Sequence, residues 1–161
     1  MRILGIDPGL NATGYGIVVI EGDRCVHLHH GVVRTKSTEA RALRLVAIRD
    51  GVRAVAKQWE INSGAIEASF VGANVRSAMA LGEARAAAIL GLADAGLTVS
   101  EYAPTLVKQT VAGYGRGEKA QIAEMVRLQL SLAQTPTPAD AADALAIAIT
   151  HWAHTRLTGR L

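Results

Sequence analysis

The chain alternates between short β-rich segments and longer segments of helical periodicity, and this order limits the folds that it can adopt. Five strands are predicted, the first three in direct succession, at residues 1–6, 15–20, 25–34, 63–67 and 97–102. Helices are predicted around the later strands, at residues 37–59, 74–95, 105–111, 119–132 and 138–156. The pattern predicts an α/β fold with a five-stranded mixed sheet, antiparallel in its first three strands and then parallel, flanked by helices on both faces.

Size and composition predict a single domain over residues 1–161 without covalent staples. Cys25 is the only cysteine, so it can form neither an internal disulfide nor a cysteine-rich zinc site. No apolar run reaches the roughly 18 residues of a membrane span, and the first residues lack a signal-peptide layout. We therefore expect a soluble, cytoplasmic protein with no membrane partner. The formal charge of +3 suits a polyanionic partner without requiring one.

Two acidic residues, Asp7 and Glu67, each follow an apolar strand and precede a loop. Binding groups of α/β sheets lie at such strand ends, so the two carboxylates could meet. The alternatives are that Asp7 only forms the turn before Pro8 and Gly9, and that Glu67 is an exposed loop charge.

Two further acids, Asp140 and Asp143, lie three residues apart on a predicted helix and so project from one face. Asp140 could belong to a capping box, with Thr137 as the cap and Pro138 as the first helical residue. That alternative does not explain Asp143, which lies inside an apolar segment. Neighbouring carboxylates in a partly desolvated place repel each other and need a cation.

A hard divalent cation would relieve this repulsion, because Mg²⁺ prefers carboxylate oxygens and completes its shell with water and phosphate. Carboxylates from separate segments could hold two ions about 4 Å apart, as phosphodiester hydrolases do. We expect two Mg²⁺ ions, with Mn²⁺ as a plausible substitute.

Five sequence blocks together resemble the RuvC family of Holliday junction resolvases, in the ribonuclease H-like superfamily. The resemblance covers essentially the whole chain, and the last block is the most specific. The blocks are LGIDPGL at residues 4–10, TGYG at 13–16, AIE at 65–67 with Phe70, VKQTV at 107–111 and ADAADALAIAITH at 139–151.

The resemblance implies a ribonuclease H-like fold and a magnesium-dependent endonuclease that resolves four-way DNA junctions in recombination and repair. It implies symmetric nicks that leave 5′-phosphate and 3′-hydroxyl ends, made by a homodimer working with the RuvA and RuvB branch-migration proteins. The implied metal ligands are Asp7, Glu67, Asp140 and Asp143; because some relatives carry histidine at position 143, Asp143 could bind directly or through water.

Several residues are candidate DNA contacts. By resemblance, Phe70 stacks on an opened base and Lys108 and Lys119 contact DNA, although Phe70 could instead pack on the sheet. Arg76 is a candidate phosphate contact near the Phe70 loop, whereas we expect Arg85 to pair with Glu83 or a neighbour. In the glycine-rich segment 113–117, which varies in the family, the candidates are Tyr114 and Arg116.

A two-fold symmetric junction calls for two active sites related by a two-fold axis. The small side chains at residues 78–91 would let another helix approach, so we place the dimer interface there, although packing within the chain also explains them. His27 and His29 fall on one predicted strand face, and we interpret the histidines of this strand as a polar face rather than a metal site.

Two other functions remain open. An actin-like or sugar-kinase ATPase also begins with a strand, an Asp-x-Gly turn and a glycine-bearing hairpin, but such enzymes are two-lobed and longer and would not require Asp140 and Asp143. A non-catalytic DNA-junction binder would use only Phe70 and the basic loop.

Overall fold

A computed structural model of the chain describes residues 1–68, 74–113 and 118–158. Within these ranges the chain forms five strands and five helices, in the predicted order. The strands are β1 (Arg2–Asp7), β2 (Ala12–Glu21), β3 (Arg24–Arg34), β4 (Ser63–Glu67) and β5 (Val99–Tyr102). The helices are α1 (Arg41–Gln58), α2 (Val75–Asp94), α3 (Pro104–Ala112), α4 (Lys119–Gln129) and α5 (Ala139–Thr158).

The strands form one sheet in the order β3-β2-β1-β4-β5. The β1–β2 and β2–β3 pairs are antiparallel, and the β1–β4 and β4–β5 pairs are parallel. The mixed α/β sheet is therefore confirmed. The carboxyl ends of β1, β4 and β5 lie at the same edge of the sheet.

Side chains alternate between the two faces of the sheet, and each face has its own core. In β1, Leu4 and Ile6 pack with Ile48 of α1 and Leu92 of α2. Ile3 faces the opposite way and packs with residues of α3, α4 and α5, among them Leu145. Asp7 lies four residues after Ile3, an even number, so its side chain points to the same face as Ile3, the face that α5 covers.

Helix α5 lies on the sheet with almost no space between the two backbones. A β-carbon at Gly14 would come within 2.0 Å of the Asp140 carbonyl oxygen, and one at Gly5 within 2.1 Å of the Ala144 carbonyl oxygen. At Gly16 the nearest atom would be the Leu145 nitrogen, at 2.6 Å. Only glycine fits at these positions, so the strands and α5 meet main chain to main chain.

Two helices are shorter than predicted. Helix α1 begins at Arg41 and not at residue 37, because its N-cap Ala40 has an extended backbone with ψ 141°. Helix α4 ends at Gln129 and not at 132, because Ser131 has a φ of +53° that a right-handed helix cannot accommodate.

The three histidines of β3 are separated by a β-bulge. The register shifts between Ile17 and Val18, whose partners are His29 and His27. The Nε2 of His27 then lies 2.8 Å from Nδ1 of His30, while His29 stacks on Trp59. The prediction that His27 and His29 share a face is wrong, because the extra residue of a bulge reverses the alternation.

None of the helices in the described ranges is long and apolar enough to cross a membrane.

Candidate active site

Asp7 and Glu67 are the last residues of adjacent parallel strands. The register pairs Ile6 with Ile66, so the two acids follow at neighbouring strand ends. Ala65 packs in the core beneath α5, and strand alternation directs Glu67 to that face as well. Both carboxylates therefore lie on the side of the sheet that α5 covers.

Helix α5 adds the other two acids. Asp7 pairs across the β1–β2 ladder with Gly14, and it is at Gly14 that the backbone of α5 touches the sheet through Asp140. Asp143 follows one turn later on the same side of the helix. The predicted grouping of the four acids is thus produced by one strand pair and one helix.

A cavity of about 240 Å³ opens at this edge. Three of the acids line it, together with two lysines, and apolar side chains form the remaining wall. Asp140 is not among the lining residues. The lining residues are Asp7, Glu67, Asp143, Lys108, Lys119, Pro104, Val107, Ile122 and Ala146.

Asp7 has the most perturbed carboxyl group of the site. Its pKa is raised from 3.8 to about 8, first by burial and then by the charges of Asp143, Glu67 and Asp140, against an opposing effect of Lys119. Each of the other three acids therefore lies close enough to repel a charge on Asp7. A cation placed among them would favour the ionised form.

Negative charge concentrated at the site contributes to the pKa shifts of both Glu67 and Lys119. Burial and Asp143 raise the pKa of Glu67, whereas Lys119 and Lys108 lower it. The Nζ of Lys119 donates to Oδ2 of Asp143 at 3.0 Å, and this bond, with the charges of Asp143, Asp7 and Asp140, raises the pKa of Lys119 against the effect of its burial. The lysine ammonium is thus a cation already held among the acids.

Among the residues that the structure describes, no three His, Cys, Asp or Glu side chains form a group arranged to hold a metal ion. Asp7, Glu67 and Asp143 share a cavity, and Asp140 acts on Asp7 through its charge, but the four acids do not form a closed ligand cage. Such a cage is not what Mg²⁺ requires, because it usually takes one or two carboxylates and completes its shell with water and phosphate.

The candidate DNA contacts have different positions. Lys108 and Lys119 line the cavity. Arg76 is exposed in the first turn of α2, a few residues after Phe70 in the sequence. Phe70 itself lies outside the described residues, and so do Tyr114 and Arg116.

Arg85 contacts the end of β4 as well as an acidic partner. Its Nε donates to the Glu67 carbonyl oxygen at 3.1 Å, and its Nη2 pairs with Glu101 of β5. The expected partner was Glu83 or a neighbour; Glu83 is not the partner, because it pairs with Arg41. Arg85 thus fixes the end of β4 that carries Glu67. The sequence places Arg85 on α2, but its contacts with Glu67 and Glu101 depend on β4 and β5 lying side by side, which the sequence does not show.

Comparison with known proteins gives a consistent result. A family model described as "Crossover junction endodeoxyribonuclease RuvC" matches residues 3–151. The chain is 47% identical over 151 residues to the Chloroflexus aggregans protein of that name, covering 94% of this chain and 92% of the relative. It is 48% identical over 158 residues to the one from Maricaulis maris, covering 98% and 94%.

Solved structures agree with the sequence relatives. The structure described as "T. thermophilus RuvC in complex with Holliday junction substrate" is 36% identical, superposes with a TM-score of 0.91, and covers 98% of this chain and 96% of that one. The ribonuclease H-like fold implied by the sequence blocks is therefore confirmed. The chain belongs to the RuvC family of crossover junction endodeoxyribonucleases.

Proposed function

We propose that this endonuclease depends on Mg²⁺, that its metal-binding carboxylates are Asp7, Glu67, Asp140 and Asp143, and that its substrate is four-way junction DNA. The observation that carries the proposal is the electrostatics of Asp7, a buried carboxyl group that is repelled by the three other acids and attracted by Lys119. A set of acids that repel one another at a cavity is stable as a charged group only with cations among them.

The residues fit hard divalent cations. The donors are carboxylate oxygens, which Mg²⁺ prefers and Mn²⁺ also accepts. The ammonium group of Lys119, bonded to Asp143, already occupies the position of a cation beside the acids. When bound, Mg²⁺ would supply an activated water and stabilise the leaving oxygen, which two ions about 4 Å apart do together in other nucleases.

The side chains of the site have separable tasks in this proposal. Asp7 and Glu67, fixed at strand ends, and Asp140 and Asp143, fixed on α5, hold the cations and orient the attacking water in line with the phosphorus. The lysines that line the cavity bind the phosphates on either side of the scissile bond. Cleavage releases a 3′-hydroxyl and leaves a 5′-phosphate, and it needs no covalent bond to the protein.

Recognition of the junction extends beyond the cavity. We infer that Arg76 contacts a backbone phosphate, because it is an exposed cation in the first turn of α2, nine residues after Glu67 in the sequence. Phe70 would stack on a base opened at the crossover, a contact worth on the order of 1 to 3 kcal/mol. Tyr114 and Arg116 stay proposed contacts on the basis of sequence alone.

A homodimer would place two such sites on a two-fold symmetric junction. Its proposed interface is the surface of α1 and α2 that faces away from the sheet. Leu43, Val46, Met79 and Leu90 are between 44% and 62% exposed on this surface. A shallow groove of about 280 Å³, lined by Val46, Ala87 and Leu90 among others, lies between the helices. Apolar residues of this size clustered on a surface indicate an interface.

A second copy is the occupant that the substrate's symmetry favours. Replacing Leu90 with Lys would place a charge in the interface, and we expect the variant to sediment as a monomer and to lose paired nicking. A variant that remains a dimer would remove this interface.

We propose that the protein acts in the cytoplasm, where junctions arise and branch-migrate. Its proposed partners there are the RuvA and RuvB proteins.

The proposal is tested with a synthetic four-way junction and a linear duplex of the same sequence. The wild-type protein should nick the junction symmetrically with Mg²⁺ or Mn²⁺ and remain inactive after chelation. Asp7→Asn should bind the junction and fail to cut it, with a loss of several powers of ten in rate. Cleavage by Asp7→Asn at the wild-type rate would remove the assigned acids.

The same assay separates the alternative functions. An actin-like ATPase would hydrolyse ATP and leave the junction intact. A non-catalytic junction binder would bind with an affinity indifferent to all four acids. Membership of the RuvC family, with a match across residues 3–151, favours the nuclease over both.

A further inference from the structure

Arg44 is a buried arginine on the first turns of α1 whose side chain reaches the turn between β1 and β2. It is 7% exposed. Its Nε donates to Oγ1 of Thr35 at 2.9 Å, and its Nη2 donates to the Leu10 carbonyl oxygen at 3.2 Å and to Oδ1 of Asn11. Leu10 and Asn11 belong to the turn that begins directly after Asp7.

The acceptors of Arg44 are neutral. Among the ion pairs of the described residues, none involves Arg44. A guanidinium group cannot lose its proton, so the charge remains, and burying a charge without an opposite partner is unfavourable. Hydrogen bonds to these neutral acceptors offset that cost, and they tie the Arg44 side chain to the turn. The residue is therefore better explained by what its donors hold in place than by stability.

The turn between β1 and β2 is held by hydrogen bonds at two places. Thr13 is fully buried, and its Oγ1 donates to the Gly9 carbonyl oxygen at 2.8 Å, which holds the first half of the turn. Arg44 holds the second half, and Thr35 strengthens the contact by donating to the Leu10 carbonyl oxygen at 2.6 Å. The turn is thus held on both sides, immediately beside the acid that the other three repel.

We propose that Arg44 is a positioning residue for cleavage: by fixing the turn after Asp7 it holds the Asp7 carboxylate in place against the repulsion of Glu67, Asp140 and Asp143. The inference rests on the proposed function of these acids. Arg44 acts through the turn, because its donors bond the Leu10 carbonyl oxygen and the side chains of Asn11 and Thr35. A reacting group displaced by about 1 Å can lower a rate about 100-fold.

The test compares four variants with the wild-type protein. Arg44→Met keeps the length of the side chain and removes every donor, and Arg44→Lys keeps the charge and loses the planar fork. Thr35→Val removes the hydroxyl group with little change in shape. Arg53→Met is the matched control, because Arg53 also lies on α1 but pairs only with Asp50 on the same helix.

Single-turnover nicking of a four-way junction with Mg²⁺ is measured beside junction affinity without divalent ions and thermal unfolding. We expect Arg44→Met to nick about 100-fold more slowly with unchanged affinity. Arg44→Lys should be partly active, Thr35→Val should show a smaller loss, and Arg53→Met should match the wild type.

Hydrogen exchange gives a readout independent of cleavage. Backbone amides of residues 9–11 should exchange faster in Arg44→Met than in the wild-type protein and the Arg53→Met control, at temperatures well below unfolding. A purely structural role would instead lower the unfolding temperature and leave nicking by the folded fraction at the wild-type rate.

The outcomes separate this inference from the proposed function. Wild-type nicking by folded Arg44→Met, or an equal loss in Arg53→Met, would overturn the role of Arg44 while leaving the acids in place. Should Arg44→Met fail to fold, Arg44→Lys and Thr35→Val decide: full activity in both overturns the role, and slow nicking with intact binding supports it. Cleavage by Asp7→Asn would instead overturn the proposed function itself.

Discussion

Replacing Asp7 with Asn should stabilise the metal-free protein, and the gain should grow with pH. Burial and the neighbouring acids raise the pKa of Asp7 from 3.8 to about 8 in the folded chain. The folded state therefore holds a proton between these values that the unfolded state has lost. Its stabilising effect is complete below about pH 4 and disappears as the pH rises to about 8. Asn carries no charge at any of these values and avoids this loss.

The size of the effect follows from proton linkage. One pH unit with a difference of one bound proton is worth about 1.36 kcal/mol. Between about pH 5 and pH 8 the wild type should therefore lose up to roughly 4 kcal/mol relative to Asp7→Asn. For a chain of this length each kcal/mol moves the unfolding midpoint by about 2 to 4 °C, so the two midpoints should separate by up to roughly 8 to 16 °C.

The assay is thermal unfolding of both proteins across that pH range, first with chelator and then with Mg²⁺. Asp94→Asn, at an exposed acid of α2, is the control and should follow the wild type. Mg²⁺ at about pH 8 should stabilise the wild type and have little effect on Asp7→Asn, because the cation favours the ionised carboxylate. Parallel midpoints for wild type and Asp7→Asn from about pH 5 to pH 8 would refute the reasoning.

Three further predictions, which use four variants, test other parts of the structure. Lys119→Met should weaken junction affinity and reduce the slope of log affinity against log salt concentration by about 1, measured by titration at several salt concentrations; an unchanged slope would mean that Lys119 does not contact phosphate. Gly14→Ala should cost about 3 kcal/mol or more in chemical unfolding, because its β-carbon would meet the Asp140 carbonyl oxygen. Gly64→Ala, whose β-carbon would lie 3.2 Å from the movable Leu92 side chain and 3.5 Å from the Thr98 carbonyl oxygen, should cost less, and equal costs would contradict the tight packing of α5. His151→Phe should cost about 1 to 3 kcal/mol by leaving Ser63 and Tyr102 without their shared partner. Burial lowers the pKa of His151, so wild-type stability should fall as the pH drops below about 6.5, and this fall should be smaller in the variant.

The position of the four acids could be predicted because local rules determine it. A period of two along β1 and β4 places Asp7 and Glu67 on one face, and a spacing of three on α5 places Asp140 and Asp143 together. The turn at Pro8 and Gly9 and the apolar runs before each acid mark where the strands end. These signals need no knowledge of distant contacts.

The buried face of α1 could be predicted only in part. The apolar residues that recur at helical spacing in this segment are Leu43, Val46, Ala47, Val52, Val55 and Ala56. Val52 and Ala56 are buried, whereas Leu43 and Val46 are 61% and 44% exposed. The face that is buried contains Arg44, Ile48, Val52 and Ala56, at a spacing of four. From the sequence alone, an arginine is expected at the surface. Arg44 can be buried because its acceptors are supplied by the turn after β1, which is distant from it in the sequence, and by Thr35.

The length of β2 was underestimated for a related reason. Glycine disfavours strands, so the strand was predicted to begin at Tyr15 instead of Ala12. Gly14 and Gly16 are tolerated because α5 lies directly upon them. The reason for glycine at these positions is the contact with α5, which lies more than a hundred residues later in the sequence. No local sequence pattern shows this contact.

This glycine contact also affects how the protein can change during evolution. Because α5 is placed by main-chain atoms of β1 and β2, the separation of the acids on the helix from the acid on the strand does not depend on the sizes of the surrounding apolar side chains. Leucine, isoleucine and valine in the neighbouring core can therefore be exchanged for one another with little effect on the distances between the charged groups, as long as the alanines of α5 that face the glycines stay small. Sequence drift should accumulate in that core while the glycines and acids stay fixed.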